Sequence, residues 1–436
     1  VAKRIVILGG GYIGLYCAIG LEKRLRKDEA TITLVSPESF MLYQSFLPEA
    51  ASGNIEPRHV VVPLRAALKR THLITGRVRN IDRGVKRVAL EPINGPASTI
   101  DYDVLVVGLG SVSRVLDVPG LEEHGIGFKE ISEGIYLRNK VLSCMDVAES
   151  TADPAVRRKA LTFLFVGGGY AGVEALGELE DLARDAARKF QTVTRDDMRW
   201  VLVEAAPSIL PEIGRDLGDY AVHQLRQRNV EVHLETRLES ATGGRMRLSN
   251  GIEFDADTLV WTTGVKANPV VGTTGFATDE RGRLLADEYL RVKDEPDTWT
   301  GGDCAAVPDL VTGGICPPTA QYSLRQAKRM ASNIAASLHG EELQAFRYRN
   351  MGTLVSLGRY QGVARVLGFR LKGFTAWFLH RSYHLLRVPT FNRKVRIALD
   401  WTVGLLFPRD IAQLGSLVHP RDAFTEASSD VRDGKL

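Results

Sequence analysis

Arg4-Ile5-Val6-Ile7-Leu8-Gly9-Gly10-Gly11-Tyr12-Ile13-Gly14 opens the chain and decides its fold. An apolar run with β character enters a turn carrying Gly9, Gly11 and Gly14, and a helical pattern follows from Leu15 to Leu25. In that context the glycines read as a dinucleotide-binding turn. The first permits the tight turn, the second lets a pyrophosphate approach the backbone, and the third lets helix and strand pack closely. The phosphates would rest on a helix N-terminus, whose free N–H groups and dipole favour negative charge.

The same pattern recurs at Leu164-Phe165-Val166-Gly167-Gly168-Gly169-Tyr170-Ala171-Gly172-Val173-Glu174. Two copies point to two nucleotides. Either copy alone could be a tight βα turn without a ligand, but strand, turn and helix agree at both places.

A chain of 436 residues, 44% hydrophobic and 25% charged, has room for two or three globular domains. A formal net charge of +4 over that length gives no sign of a nucleic-acid partner. Cys17, Cys144, Cys304 and Cys316 form no CxxC pair, which suits a reducing compartment and argues against a structural metal site. The first strand begins near the fourth residue, so no export signal is expected, and no window holds the roughly 20 apolar residues of a spanning helix.

Past the first turn, Thr31-Ile32-Thr33-Leu34-Val35 predicts the second strand, which ends at Ser36. An acid normally stands there to hold the adenosine ribose. Ser36 can still bond a ribose hydroxyl, with Glu38 close by, and the contact is expected to be weaker. Val104 to Gly110 reads as a buried strand with small residues at its end, where Gly108 and Gly110 would let the backbone pass close to a cofactor or simply end a strand. In the second unit the strand Trp200-Val201-Leu202-Val203 ends at Glu204, which predicts NADH over NADPH because a carboxylate takes the 2′-hydroxyl and repels a 2′-phosphate. Asp257 to Gly264 repeats the closing strand, so each half reads as one nucleotide-binding unit. The charged segment Asp181 to Arg199 reads as a helix extension without chemistry.

Thr300-Gly301-Gly302-Asp303 can place a carboxylate on a ribityl chain and a backbone N–H near phosphate, although such a triplet is also common in turns. Pro317-Pro318-Thr319-Ala320-Gln321 fixes the start of an amphipathic helix, whose N-terminus would stabilise negative charge on a reduced flavin. From Arg370 to Arg409 there are eight Arg or Lys residues against one acid, Asp400, interleaved with Phe374, Trp377, Phe378, Tyr383, Phe391, Trp401 and Phe407. Pro389 divides this stretch into helices at Phe374–Val388 and Phe391–Phe407. Basic helices carrying Trp and Phe suit an anionic membrane surface, and a homodimer interface or a helical cap fits the composition equally well. The polar tail after Arg421 is expected to be mobile.

Both glycine turns, with LYQSFLPEAASG at Leu42, VVGLGSVS at Val106, WTTGVKANP at Trp261, GGDCAA at Gly301 and PPTAQYSLRQA at Pro317, resemble the type II NADH:quinone oxidoreductases from Arg4 to about Leu414. The resemblance implies an α/β fold with two Rossmann-like units, the second inserted in the first, and a C-terminal amphipathic helical anchor. It divides the chain into residues 1–115 and 265–345 for FAD, 116–264 for NADH, and 346–436 for the membrane. Carried over residue by residue, Gly9, Gly11, Gly14 and Asp303 match FAD-binding positions, with Gly110 and Gly302 counted among the cofactor-binding residues; Ser36, counted with them, is the departure from the family pattern and bears on the strength of the adenosine contact. Gly167, Gly169, Gly172, Glu204 and Gly264 match NADH-binding positions. Glu174 matches a carboxylate near the nicotinamide, and Ala320 with Gln321 matches the pair lining the quinone site. A peripheral place on the cytoplasmic face of the cell membrane follows from the same likeness.

Other activities remain open at the level of residues. A disulfide reductase or a sulfide:quinone oxidoreductase needs reactive cysteines at the flavin, whereas the cysteines here are scattered. A ferredoxin reductase leaves the basic aromatic region without a purpose. A flavoprotein that senses NADH through its assembly is the non-enzymatic alternative.

Overall fold

The computed structural model describes residues 2–413; the polar tail after Arg421 lies outside them. Two parallel sheets form its frame. The strand Lys3–Leu8 stands between Ala30–Ser36 and Val104–Val107, with Ile5 level with Ile32 and with Val104. Thr298–Thr300 continues the parallel run beyond Val104–Val107, and His72–Asp82 continues it on the other side. Two antiparallel strands, Arg87–Pro92 and Ser98–Asp101, finish this sheet of seven. The second sheet has five parallel strands, with Thr162–Val166 between Arg199–Val203 and Thr258–Trp261. Both central strands are buried on two faces, which is why they read as unbroken apolar runs.

In each sheet the strand that enters a glycine turn is the one at which the strand order reverses. A crevice opens beyond the carboxyl ends of the strands at such a point, and ligands of this architecture bind there. The strand at Thr298–Thr300 returns to the first sheet after the second sheet is complete, so the chain is α/β with the second Rossmann-like unit set within the first.

The two turns divide the labour of their glycines in the same way. Gly9 and Gly167 hold φ at +101° and +115°, where a side chain is strained. A Cβ on Gly14 would stand 1.8 Å from the Gly9 carbonyl oxygen, and one on Gly172 would stand 2.0 Å from that of Gly167. These positions bring each helix, Tyr12–Arg24 and Tyr170–Ala187, hard against its strand. Around Gly11 and Gly169 no protein atom lies within 4 Å of such a Cβ, so open space stands in front of both helix ends.

Thr319 caps the helix Ala320–His339, accepting from the N–H of Tyr322. This helix crosses Tyr12–Arg24 at Gly20, where a Cβ would come within 2.6 Å of Ala331. The remainder is an antiparallel sheet of three strands between Gly352 and Lys372, followed by helices Gly373–Arg387 and Phe391–Leu406. Val355, Leu357 and Val363 enter the core of the second unit, while Val388 and Ile397 enter that of the first. The C-terminal region therefore joins both cores.

Gly172→Ala should unfold or strongly destabilise the protein, by about 3 kcal/mol, because backbone rather than a flexible side chain blocks the new methyl group. Thermal melting checks this. A melting temperature within a degree or two of wild type would contradict the packing role.

Candidate active site

One cavity of about 410 Å³ lies where the two units and the C-terminal region meet. Gly169, Tyr170 and Glu174 bring the second glycine turn to its wall, and Thr319, Ala320 and Gln321 bring the start of the capped helix. Asp303, Lys129, Trp261, Gly264, His380 and His384 complete much of the rest. Thus Gly169, Glu174, Gly264, Asp303, Ala320 and Gln321 share one chamber, although they are spread over more than 150 positions of sequence.

The remaining expected residues stand outside that chamber. Gly9, Gly11, Gly14 and Ser36 cluster at the first turn, where a Cβ on Gly10 would meet Ser36 Oγ at 2.6 Å. Ser36 is buried against that turn. Ile13, in the first turn of the helix, faces Gly108, Gly301 and Gly302 at once. Gly110 has φ +68° and open space around it. Asp303 accepts a 2.6 Å bond from Ser111 Oγ, which in turn accepts one of 2.8 Å from Lys129 Nζ. The carboxylate is therefore held in a fixed direction.

At the second turn Glu204 is tied to the backbone of the turn itself. Its Oε2 accepts from the N–H of Gly168 at 2.6 Å, and its Oε1 accepts from that of Ala206 at 2.7 Å. Gly167 and Gly172 lie behind it against Thr262. Gln321 Nε2 donates to the Gly352 carbonyl at 3.2 Å, and its Oε1 accepts from Tyr348 at 3.0 Å, so the amide is aimed by the C-terminal sheet.

Glu174 is buried, accepts from the N–H of Ser356 at 2.9 Å, and faces His380 Nε2 at 3.3 Å. Glu178, one turn on, accepts from Ser52, Asn54 and Ser356. Asp181, read from sequence as part of a bare helix extension, is buried: it pairs with Arg184 and Arg228 and accepts from the N–H of Arg359. The helix does run on to Ala187, and the first part of the segment also forms the joint to the C-terminal sheet. Near Glu178 and His380, Glu49 accepts from Trp401 and pairs with Arg381, each at 2.8 Å, and burial pushes its carboxyl up. Burial also holds the His384 ring well below the usual histidine range.

The family model for pyridine nucleotide-disulphide oxidoreductases matches residues 3–327. A type II NADH:quinone oxidoreductase of Staphylococcus epidermidis is 32% identical over 384 residues, covering 87% of this chain and 93% of that protein. The chain belongs to the type II NADH:quinone oxidoreductases. Another member, from Mycobacterium tuberculosis, is 30% identical over 421 residues, covering 93% of this chain and 89% of its own. The solved structure of NDH2 from Plasmodium falciparum in complex with NADH superposes with a TM-score of 0.88 over 94% of this chain and 100% of that one, at 16% identity. The fold is shared with a sulfide:quinone oxidoreductase of Aquifex aeolicus at a TM-score of 0.71 and 17% identity. The thiols separate the chemistries. Cys17, Cys144, Cys304 and Cys316 are all free and buried, none lines the cavity, and burial pushes the Cys316 thiol up to about 11.

Lys129, Glu49, Glu178, His380 and His384 were not singled out from sequence. Glu178 stands four residues after Glu174, and His384 four after His380, so each pair shares a helix face. That spacing was the available signal.

If Glu204 is the ribose acceptor its position predicts, Glu204→Ala should narrow the preference for NADH over NADPH by about tenfold, on the order of 1.4 kcal/mol, by removing that acceptor and the repulsion of a 2′-phosphate together. The ratio of kcat/KM for the two nucleotides reads it; an unaltered ratio would contradict the assignment.

Proposed function

We propose that the chain binds FAD at the first glycine turn and NADH at the second, and passes electrons from NADH to a membrane quinone. The observation that carries this is the single cavity whose walls include both the second turn and the Ala320–Gln321 helix end.

The residues fit the nucleotides. Open space in front of Gly11 and Gly169 leaves room for a pyrophosphate at each helix N-terminus. Asp303, steered by Ser111 and Lys129, would take a ribityl hydroxyl. Bound FAD supplies the two-electron carrier that joins a hydride donor to a quinone. The protein contributes position and field. Glu204 would hold the NADH ribose beside the second turn, and Glu174 stands one turn into the helix Tyr170–Ala187 at the cavity wall. The dipole of the helix Ala320–His339 favours negative charge beside Ala320, and Gln321 offers an amide to a quinone oxygen.

The C-terminal helices support a membrane-facing role. Their inner faces bury Trp377, His380, Val388 and Ile397, and their outer faces expose Phe378, Leu386, Phe391, Leu399, Leu406 and Phe407. Arg387, Arg393, Lys394 and Arg396 lie among the exposed apolar groups. No described helix is long and apolar enough to cross a membrane. This arrangement suits a helix pair lying in an anionic interface, with the cytoplasmic face as the side whose surface charge attracts it. A cap and an anchor are thus two sides of one element.

Gln321→Ala should slow flavin reoxidation by a soluble quinone at least tenfold while leaving bleaching by NADH within twofold, as anaerobic stopped-flow would record. Equal losses in both half-reactions would remove Gln321 from the quinone site. A triple change of Phe391, Leu399 and Leu406 to serine should abolish cosedimentation with anionic liposomes and spare the NADH half-reaction. Unchanged sedimentation would defeat the anchor.

A further inference from the structure

The helix Tyr12–Arg24 crosses the helix Ala320–His339 at Gly20, against Ala331. Lys23 stands three residues after Gly20 and Lys328 three before Ala331, so the crossing carries both to one side. Arg325 lies one turn further along the same face. A third helix, Gly373–Arg387, ends beside them, because the Tyr16 hydroxyl donates to the Arg387 carbonyl at 3.2 Å. Three elements distant in sequence thus bring four cations together. Partial burial, and then the charges of Arg387, Arg325 and Lys23, lower the Lys328 ammonium from the usual lysine range.

No acid answers this charge. Among the described residues none of the four forms an ion pair: Arg325 donates to the Gln321 carbonyl at 2.9 Å and lies over the Tyr348 ring at 4.0 Å, and Arg387 lies over the Tyr383 ring at 5.3 Å. Glu22, next to Lys23, is turned instead to the N–H groups of Lys69, Arg70 and Thr71. Elsewhere on the surface neighbouring cations have acids, as Arg4 has Asp101 and Asp103. Like charges held at helical spacing are unfavourable, and a basic cluster without acids has the form of a site for a bound anion.

The surroundings indicate which anion. Leu386 and Phe391, 72% and 81% exposed, flank Arg387, and Lys394 Nζ donates to the Leu386 carbonyl at 2.8 Å. The cluster therefore borders the outward apolar face of the two C-terminal helices. Cations beside exposed hydrocarbon match a lipid headgroup above its chains, whereas a free anion would leave the apolar groups in water. Four cations also exceed the charge of one phosphodiester.

We propose that Lys23, Arg325, Lys328 and Arg387 form a headgroup site for a phospholipid carrying two negative charges, with its acyl chains along Leu386 and Phe391. The site rests on the membrane reading above and goes beyond it. An anchor needs only a surface of negative potential, but here the first unit itself takes hold of one lipid through Tyr12–Arg24 and Ala320–His339. Arg325 ties that lipid to the helix turn that carries Gln321.

The test uses flavin-loaded full-length protein and two kinds of liposome matched in total surface charge. One contains a lipid bearing two phosphodiesters, the other twice the mole fraction of a lipid bearing one. Wild type should sediment with both, about tenfold more tightly with the first. Lys23→Gln combined with Lys328→Gln should bind the two about equally at an unchanged melting temperature, and Lys23→Arg combined with Lys328→Arg should keep the preference. Equal binding of wild type to both liposomes, or a preference that survives the glutamine pair, would overturn the site and leave the anchor standing. Wild type that binds neither liposome would bring down the anchor and the site together. Calorimetric titration with inorganic pyrophosphate should show markedly weaker binding than the first liposomes give. Binding as tight as theirs, lost in the glutamine pair, would assign the cluster to a free anion and contradict the lipid.

Discussion

A row of carboxylates on one helix holds the working parts of this molecule together. Glu174, Glu178 and Asp181 stand on one face of Tyr170–Ala187, and all three are buried. Buried charge is tolerated only where it is paired and hydrogen-bonded. Here the partners come from elsewhere in the chain: Ser52 and Asn54 after the first unit's short helix, Ser356 and Arg359 from the C-terminal sheet, and His380 from the helix beyond. Breaking one such contact strands its partner, at about 3–5 kcal/mol for a buried ion pair. The helix that begins at the second nucleotide turn is thereby locked to the elements that aim Gln321 and close the cavity.

The parts legible in sequence were those fixed by local chemistry. Both glycine turns could be read because each glycine answers a separate local demand: positive φ at Gly9 and Gly167, room for a ligand at Gly11 and Gly169, close packing at Gly14 and Gly172. Pro317 and Pro318 with Thr319 marked a helix start for equally local reasons. The acid row was harder, because charged residues at helical spacing ordinarily face water and only the tertiary partners bury these. His380 was hidden in a stretch whose basic and aromatic content drew the reading toward a membrane.

The C-terminal region shows why composition left several readings level. One pair of helices satisfies two environments, with Trp377, His380 and Ile397 turned inward and Phe391, Leu399 and Leu406 turned outward. Composition sums over both faces, so it cannot assign either. The second turn, the Thr319-capped helix and the C-terminal helices wall one chamber, which is where the proposed reading brings hydride donor and quinone together.

The central claim is a relay across that chamber, and its most direct test is a two-step anaerobic titration of the purified full-length protein. The flavin absorption should bleach on one equivalent of NADH and return in full on one equivalent of a soluble quinone. Bleaching without recovery would contradict the account by leaving the NADH half intact and the quinone half without support.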